Sequence, residues 1–280
     1  MQINTSVESL QRAGGEAGFT RLELLVVACT CALLSCLMLG SLSHAQVFDQ
    51  AMVCQSSMRH LTLGWQLYAY SNGDRFARTV GMDGYVGDPA SYRIAPGGPW
   101  EQWCPGSVDS GNGPASTNKL LLERGQIWKY VGKHSSYKCP TDTKNYKGTP
   151  VVRSVSMNCW LNPQYAWSPT SGKVLRSFSD MTSLPPSRTF VIIEENPQSI
   201  DDGWFVINSY QDPYSQIRTA KWVNYPAMYH NFSANLSFAD GHVETHRWTD
   251  KNVLSYPNGG SGPDGADLAW LSSRGTVVVK

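Results

Sequence analysis

The sequence has few charged residues and almost no bias of sign. Of its 280 residues, 16% are charged, and the formal net charge is +1. Nucleic-acid binding depends on clustered positive charge, so this balance gives no indication of a nucleic-acid partner. The sequence also lacks a Gly-rich phosphate loop, a nucleophile motif and closely spaced cysteine pairs of the zinc-finger kind. We therefore predict that the protein is not an enzyme and has no nucleic-acid partner.

Turn-forming and aromatic residues are abundant. The chain has 25 Gly, 16 Pro and 11% aromatic residues, which is typical of a β-rich domain with many turns. Its 10 Trp residues favour packing in the core and at its rim. Exposed Trp that binds carbohydrate is the alternative.

A long uncharged run lies near the N-terminus. Residues Leu24 to Leu42 contain no charge and no proline. As a helix at about 1.5 Å per residue this run measures roughly 28 Å, close to the thickness of about 30 Å of a bilayer's hydrocarbon core. The run therefore predicts a transmembrane helix over residues 24–42.

A short motif stands directly before this run. It reads Gly18-Phe19-Thr20-Arg21-Leu22-Glu23 and leads into Leu24-Leu25-Val26-Val27. This stretch resembles the processing motif of type IV pilins and type II secretion pseudopilins. The resemblance implies a leader peptide over 1–18, cleavage between Gly18 and Phe19 by a prepilin peptidase/methyltransferase, and methylation of the new Phe19 amine.

The same resemblance gives Glu23 an assembly role. In the family this carboxylate is thought to meet the N-terminal amine of a neighbouring subunit. A carboxylate beside a long apolar helix is costly unless it meets a cation, which agrees with such a pairing. The alternative is a solvated Glu23 that flanks the apolar run beside Arg21.

A helical pattern continues beyond the uncharged run. Apolar residues recur at spacings of three and four over Val47, Ala51, Cys54, Met58, Leu61, Trp65 and Tyr68. Asn72-Gly73 is a favourable helix stop. We predict one helix over residues 19–72, with two helices broken near Gly40 and Ser43 as the alternative.

The rest of the chain, 73–280, is predicted as a β-rich head. Strand-like stretches lie at 151–160, 189–193, 203–207 and 276–279. Asp240-Gly241 stands between two alternating runs and predicts a hairpin with a two-residue turn. The predicted fold class is thus α+β: a long, partly transmembrane N-terminal helix packed on an antiparallel β-rich head, as in pilins.

His230 and Asp240-Gly241 form a second recognisable pattern, His-x9-Asp-Gly, at 230–241. It resembles the H-x9-DG element near the C-terminus of pilin-like proteins from planctomycetes and verrucomicrobia. Fragments such as Tyr137-Lys138-Cys139-Pro140 resemble the same group. The resemblance implies an architecture more than an activity.

Two groups of residues were candidates for metal binding. His242, Glu244 and His246 alternate along one predicted strand near His230 and Asp240, so they share a face and could ligate a metal. Asp201 and Asp202 could belong to a calcium loop. Both groups are also typical of an exposed sheet face and an acidic turn, so we predict no metal and no cofactor, with calcium as the alternative.

The seven cysteines fall into two groups. Cys29, Cys31 and Cys36 lie in the uncharged run, where cysteine behaves as a small apolar residue. Cys54, Cys104, Cys139 and Cys159 could form two disulfides in an oxidising compartment or remain free thiols. The resemblance points to Cys54 and Cys139 as recurrent positions, which leaves Cys104 and Cys159 as candidates for a second pair.

The expected function is that of a structural pilin or pseudopilin subunit. The resemblance implies a single-pass protein of the bacterial inner membrane with its head in the periplasm, later part of a pseudopilus, pilus-like filament or cell surface. Its expected partners are the prepilin peptidase and other subunits, which bind through the N-terminal helix. The alternatives are a membrane-tethered binding protein for carbohydrate that does not polymerise, and a metal-dependent hydrolase.

Overall fold

A computed structural model describes residues 18–81, 88, 90–164, 172–211, 218–257 and 265–277. Side chains at 37–49, 92, 110–112 and 208–221 are not described. Residues 1–17 of the predicted leader lie outside the described residues. The chain divides into two units, Met1–Gln46 and Val47–Lys280.

Helix α1, Arg21–Ser71, begins in the first unit and ends in the second. It stops next to Asn72-Gly73, and Gly73 has a φ of +65°, as a helix C-terminus favours. The other helices are short and belong to the second unit: α2 Lys119–Glu123, α3 Trp128–Val131, α4 Lys251–Ser255 and α5 Ala266–Gly275.

The second unit is built on a five-stranded sheet with the order β5-β3-β4-β8-β9. Its β3 and β5 are parallel and its other neighbours are antiparallel. Two two-stranded ladders, β1–β2 and β6–β7, accompany it. The strand bounds are β1 Asn145–Tyr146, β2 Thr149–Pro150, β3 Val155–Asn158, β4 Phe190–Glu194, β5 Trp204–Phe205, β6 Ile207–Gln211, β7 Arg218–Trp222, β8 Ser233–Phe238 and β9 Val243–Arg247.

The C-terminal part of α1, from Met58 onward, provides one side of the main core. Met58, Leu61 and Trp65 are at most 1% exposed and cluster with residues of the central strands, including Met157 and Ile192. This confirms the central part of the apolar stripe read from the sequence. Because α1 contributes these residues to the core, residues 47–71 belong to the same unit as the sheet.

The predicted fold class is wrong in its pilin-like part. The α+β content is present, but no helix in the described parts of the chain is long and apolar enough to cross a membrane. Arg21 and Glu23 open α1 and Thr30 and Ser35 dilute its apolar residues, while side chains are described up to residue 36 in this segment. The predicted transmembrane segment 24–42 runs into residues whose side chains are not described.

The β8–β9 hairpin forms where the sequence predicts it, but with a different turn. The loop is Ala239-Asp240-Gly241, and Gly241 alone of these has a positive φ, at +97°. Gly241 N–H donates to the Phe238 carbonyl, and Phe238 N–H donates to that of His242. This is the three-residue loop with a left-handed glycine rather than the two-residue turn, which requires positive φ at both central residues.

Candidate functional site

The predicted processing site lies at the start of α1. Gly18 and Phe19 are exposed and precede the helix, and Phe19 is 82% exposed. Thr20 N–H donates to Glu23 Oε2 over 2.8 Å, and Glu23 N–H donates to Thr20 Oγ1 over 3.3 Å. This reciprocal pair is a capping box, which satisfies two N–H groups at the helix N-terminus.

The capping box gives Glu23 a local role that the sequence interpretation missed. The Thr20 backbone N–H, and then its hydroxyl, lower the pKa of the Glu23 carboxyl. The carboxylate is therefore the stable form at neutral pH. The Thr-x-x-Glu spacing before an apolar run is the signal that could have revealed it.

The helix that follows Glu23 exposes apolar side chains. Those exposed by more than half include Leu22, Leu24, Leu25, Val26, Val27, Leu33 and Leu34. The hydroxyls of Thr30 and Ser35 donate to carbonyls three and four residues earlier, so these hydrogen bonds stay within the helix. The described part of the first unit thus presents an apolar helical surface.

Within the second unit, α1 has an exposed apolar face opposite its core face. Leu63 is 51% exposed, Leu67 40% and Tyr70 88%. Spacings of four and three residues place these three on one side of the helix. Contiguous exposed apolar surface of this kind is typical of interaction sites.

A different group of side chains meets inside the second unit. Cys54 comes from α1, Cys139 follows a short 3₁₀ helix at His134–Tyr137, Glu194 ends β4, and His230 precedes β8. All four are buried, with exposures of 2, 3, 1 and 6%. One ligand atom from each lies within 4.8 Å of all the others. We call this set the Cys/His/Glu cluster.

The polar atoms of the cluster are close to one another. The Cys54 thiol donates to Cys139 Sγ over 2.9 Å, and Cys139 Sγ lies 3.7 Å from His230 Nε2. His230 Nε2 lies 3.2 Å from Glu194 Oε1. Both cysteines are free thiols in the structure. His230 Nδ1 is buried and makes no hydrogen bond to the described residues.

Neighbouring backbone groups hold the cluster. Cys139 N–H donates to Ser154 Oγ over 2.6 Å, and Asn235 N–H donates to Glu194 Oε2 over 2.8 Å. His230 N–H donates to the Ser233 carbonyl. The two residues after His230, Asn231 and Phe232, both have positive φ, so an uncommon backbone turn positions the imidazole.

Burial and the hydrogen bonds within the cluster shift the pKa values of its two thiols and of its imidazole. The hydrogen bond with Cys54 lowers the pKa of Cys139 to about 7, whereas that same bond and burial raise the pKa of Cys54. Burial works to lower the pKa of His230, but its hydrogen bonds to Cys139 and Glu194 outweigh burial and raise it to about 10. The contacts with Cys139 and Glu194 thus favour the protonated form of His230.

The His-x9-Asp-Gly spacing has a structural explanation. His230 stands before β8 and Asp240-Gly241 stands after it, so the nine residues between contain that strand and its flanks. His230 is in the buried cluster, whereas Asp240 and Gly241 form the hairpin loop. The motif residues therefore flank β8 at both of its ends. They do not come together at one site.

The metal candidates on β9 do not converge. His242 Nδ1 lies 2.6 Å from Asp240 Oδ1, and its Nε2 lies 3.2 Å from Glu244 Oε1. Opposite nitrogens of one ring thus face the two carboxylates, so the three side chains cannot chelate one ion. His246 turns instead to Asp267, at 3.0 Å, and stacks on Trp270.

Asp201 and Asp202 stabilise a turn. Asp201 Oδ1 accepts from Asp202 N–H, and Asp202 Oδ1 accepts from Trp204 N–H, both over 2.7 Å. The Asp201 carbonyl accepts from Val108 N–H. Burial, and then the charge of Asp201, raise the pKa of Asp202 well above its usual range. These contacts match the acidic-turn interpretation.

The proposed second cysteine pair is divided between two parts of the core. Cys104 packs in the main cluster with Trp103, and Cys159 packs with Trp160 and Trp204 in another. Both are free thiols. Burial raises the pKa of Cys104 to about 11 and that of Cys159 to about 12, as for inert core thiols.

The tryptophans of the described residues pack inward. Trp65, Trp103, Trp160 and Trp248 are at most 1% exposed, and the other described tryptophans are buried or half-buried. Trp167 lies outside the described residues. A row of exposed tryptophans, which carbohydrate binding would favour, is not seen in the described parts.

The comparisons with known proteins give no relative. No protein-family model, curated protein or solved structure matches the chain. Function must therefore be inferred from the chain's own residues.

Proposed function

We propose that the chain is a non-enzymatic assembly subunit that is processed between Gly18 and Phe19 and then associates with other subunits through α1. The observation that carries this proposal is the exposed apolar surface of α1 directly behind the processing motif. Leu22, Leu24 and Leu25 are 73, 67 and 61% exposed. Water-exposed apolar surface of this extent is unfavourable, and burial against equivalent helices would remove about 25 cal/mol per Å² of that cost.

The exposed face of α1 in the second unit supports the same role. Leu63, Leu67 and Tyr70 lie beside each other on that helix and outside the core. This exposed apolar face favours an assembly subunit over a tethered binding protein, because a protein that stays monomeric has no partner to cover it. Copies of this chain or related pilin-type subunits are the partners that fit.

Glu23 is suited to join subunits. Its Oε2 accepts the capping bond from Thr20, and its Oε1 accepts no hydrogen bond in the described residues. After cleavage, the charged Phe19 amine of a neighbouring subunit could approach Oε1 while the cap remains. An ion pair between the two would set the register of packed helices.

Partners and location follow from this proposal. A prepilin peptidase/methyltransferase would process the chain at the inner membrane, and the β-rich unit would then function in the periplasm, in a pseudopilus or in a pilus-like filament. Cell fractionation tests the location: the processed chain should be recovered with the envelope and not with the cytosol.

N-terminal mass analysis tests the processing step. Wild-type protein from native cells should start at a methylated Phe19, and Gly18→Ala should abolish cleavage. A Cβ at Gly18 meets nothing within 4 Å, so this variant changes the peptidase site and leaves the fold intact. Gly15→Ala is the matched control and should be processed normally. A wild-type chain that keeps Met1 would contradict the proposal and leave the non-polymerising binding protein as the better account.

A further inference from the structure

We propose that Cys54, Cys139, Glu194 and His230 form a structural zinc site. The inference does not depend on the proposed assembly role. It uses side chains that no sequence motif joins, since they lie on four separate segments of the chain.

The donor types suit zinc. Two sulfurs, one imidazole nitrogen and one carboxylate oxygen make a set of four ligands, the number that structural zinc sites use. Thiolates select zinc over the hard cations calcium and magnesium, which prefer oxygen ligands. The imidazole of His230 and the carboxylate of Glu194 complete the four ligands, so every side chain of the cluster would bind the metal.

Two of the distances already fit tetrahedral coordination. With zinc–sulfur bonds of about 2.3 Å and zinc–nitrogen or zinc–oxygen bonds of about 2.1 Å, neighbouring sulfur and nitrogen ligands lie about 3.6 Å apart, and nitrogen and oxygen about 3.4 Å. Cys139 Sγ and His230 Nε2 are 3.7 Å apart, and His230 Nε2 and Glu194 Oε1 are 3.2 Å apart.

The two sulfurs are closer than zinc requires. They lie 2.9 Å apart, whereas two zinc-bound sulfurs lie about 3.8 Å apart. A rotation of one cysteine side chain would supply the difference of about 0.9 Å, and the Cys139 backbone would stay anchored to Ser154. The alternative to zinc is a disulfide between Cys54 and Cys139, with an S–S bond of about 2.05 Å.

The burial of all four side chains favours a zinc site over a Cys54–Cys139 disulfide. A disulfide would use the sulfurs and leave Glu194 and His230 as a buried ion pair, which stabilises a fold little because its desolvation is costly. Zinc would engage all four side chains, and its two positive charges would offset two of the three negative charges of two thiolates and one carboxylate. Since all four residues are at most 6% exposed, no ligand position is open to substrate, which is the arrangement of a structural and not a catalytic metal.

The site would join α1 to the sheet. Cys54 is the first buried residue among the described side chains of α1. Of the other ligands, Glu194 ends β4, His230 precedes β8, and Cys139 is hydrogen-bonded to Ser154, directly before β3. Metal bound there would hold the start of the core-packed part of the helix against the head. His230, the first residue of the His-x9-Asp-Gly pattern, would gain a ligand role.

Metal content of the full chain tests the site. The chain is purified with a reductant and carries Cys29→Ser, Cys31→Ser and Cys36→Ser, so that the apolar segment offers no thiols. We expect about one zinc ion per chain. A chelator should lower the melting temperature, and zinc chloride should restore it. Cys139→Ser and His230→Gln should each lose the zinc, whereas the matched control Cys159→Ser, another buried cysteine, should keep it.

Cobalt(II) gives a readout that does not depend on variant folding. Added to the metal-free protein, cobalt(II) should produce thiolate-to-cobalt charge-transfer absorption and the visible bands of a tetrahedral site. A reduced protein that binds neither ion would overturn the inference. So would a zinc content that Cys139→Ser and His230→Gln leave unchanged, or a Cys54–Cys139 disulfide that forms in the presence of excess zinc and excludes it.

Discussion

Asp202 shows how a buried carboxylate can serve a turn at a cost in stability. Its Oδ1 accepts the Trp204 N–H at the start of β5, yet burial raises its pKa well above the usual range. A carboxyl whose pKa is raised by folding destabilises the protein above its unfolded-state pKa, near 3.8, and this cost disappears as the pH falls to that value.

Asp202→Asn should therefore raise the free energy of unfolding at pH 7. The substitution removes the buried charge, and the amide oxygen of asparagine can still accept the Trp204 N–H. The gain should shrink as the pH is lowered from 7 toward 4. Chemical denaturation of both proteins at several pH values measures it.

Asp202→Ala is the control for the hydrogen bond. It removes the charge and also the acceptor, so the Trp204 N–H loses this hydrogen bond at a cost of about 1–3 kcal/mol. If Asp202→Asn is no more stable than wild type at pH 7, the carboxyl is not held in the environment described for it.

At the scale of elements, the spacing of apolar residues predicted the core-facing side of α1 and the β8–β9 hairpin. The apolar stripe of α1 identified Met58, Leu61 and Trp65 as core residues, and the alternation around Asp240-Gly241 identified the β8–β9 hairpin. Strand β4, Phe190–Glu194, lies one residue from the predicted 189–193. Predicted strands at 151–160 and 203–207 contain the shorter β3 and β5, whereas Thr276 and Val277 lie in no strand.

The Cys/His/Glu cluster could not be predicted because its members meet through tertiary packing. The sequence interpretation grouped His230 with His242, Glu244 and His246 since they are close along the chain. One local signal was available: Glu194 follows the apolar run Phe190–Ile193 of a buried strand. A charged residue at that position needs a partner, but periodicity does not say which one.

Leu61→Ala tests how much the core-facing side of α1 stabilises the second unit. Leu61 is 0% exposed, so we expect a loss of about 2–5 kcal/mol in the free energy of unfolding. Leu63→Ala is the matched control on the same helix. Leu63 is 51% exposed, and its truncation should change stability by no more than about 0.5 kcal/mol. Urea denaturation distinguishes the two, and equal losses would contradict the described burial of α1.

At the scale of the whole molecule, the hydrophobic core and the exposed apolar surface that follows Glu23 lie in different parts of the chain. The hydrophobic core clusters of the described residues contain no residue before Met58. The described side chains of residues 19–36 contribute exposed apolar surface instead. The predicted processing motif lies directly before this surface in the sequence. A resemblance over so few residues predicted a function, but the membrane-spanning, pilin-like fold that it implied is wrong.

A chain of residues 47–280 should therefore keep the melting temperature of the chain of residues 19–280 to within about 2 °C, since no described core residue is removed. Differential scanning calorimetry of the two proteins measures it. A large drop for the shorter chain would mean that the N-terminal segment packs on the second unit and is not available to other subunits.

The measurement that tests the assembly role most directly is electron microscopy of the chain that begins at Phe19, transferred from detergent into buffer. We expect regular filaments of uniform diameter. Filaments should be absent for residues 47–280, and they should also be lost in Glu23→Gln, which keeps the capping bond to Thr20 but removes the charge that pairs with the Phe19 amine of a neighbour. Wild-type protein that stays monomeric, or that forms irregular aggregates unaffected by Glu23→Gln, would contradict the account.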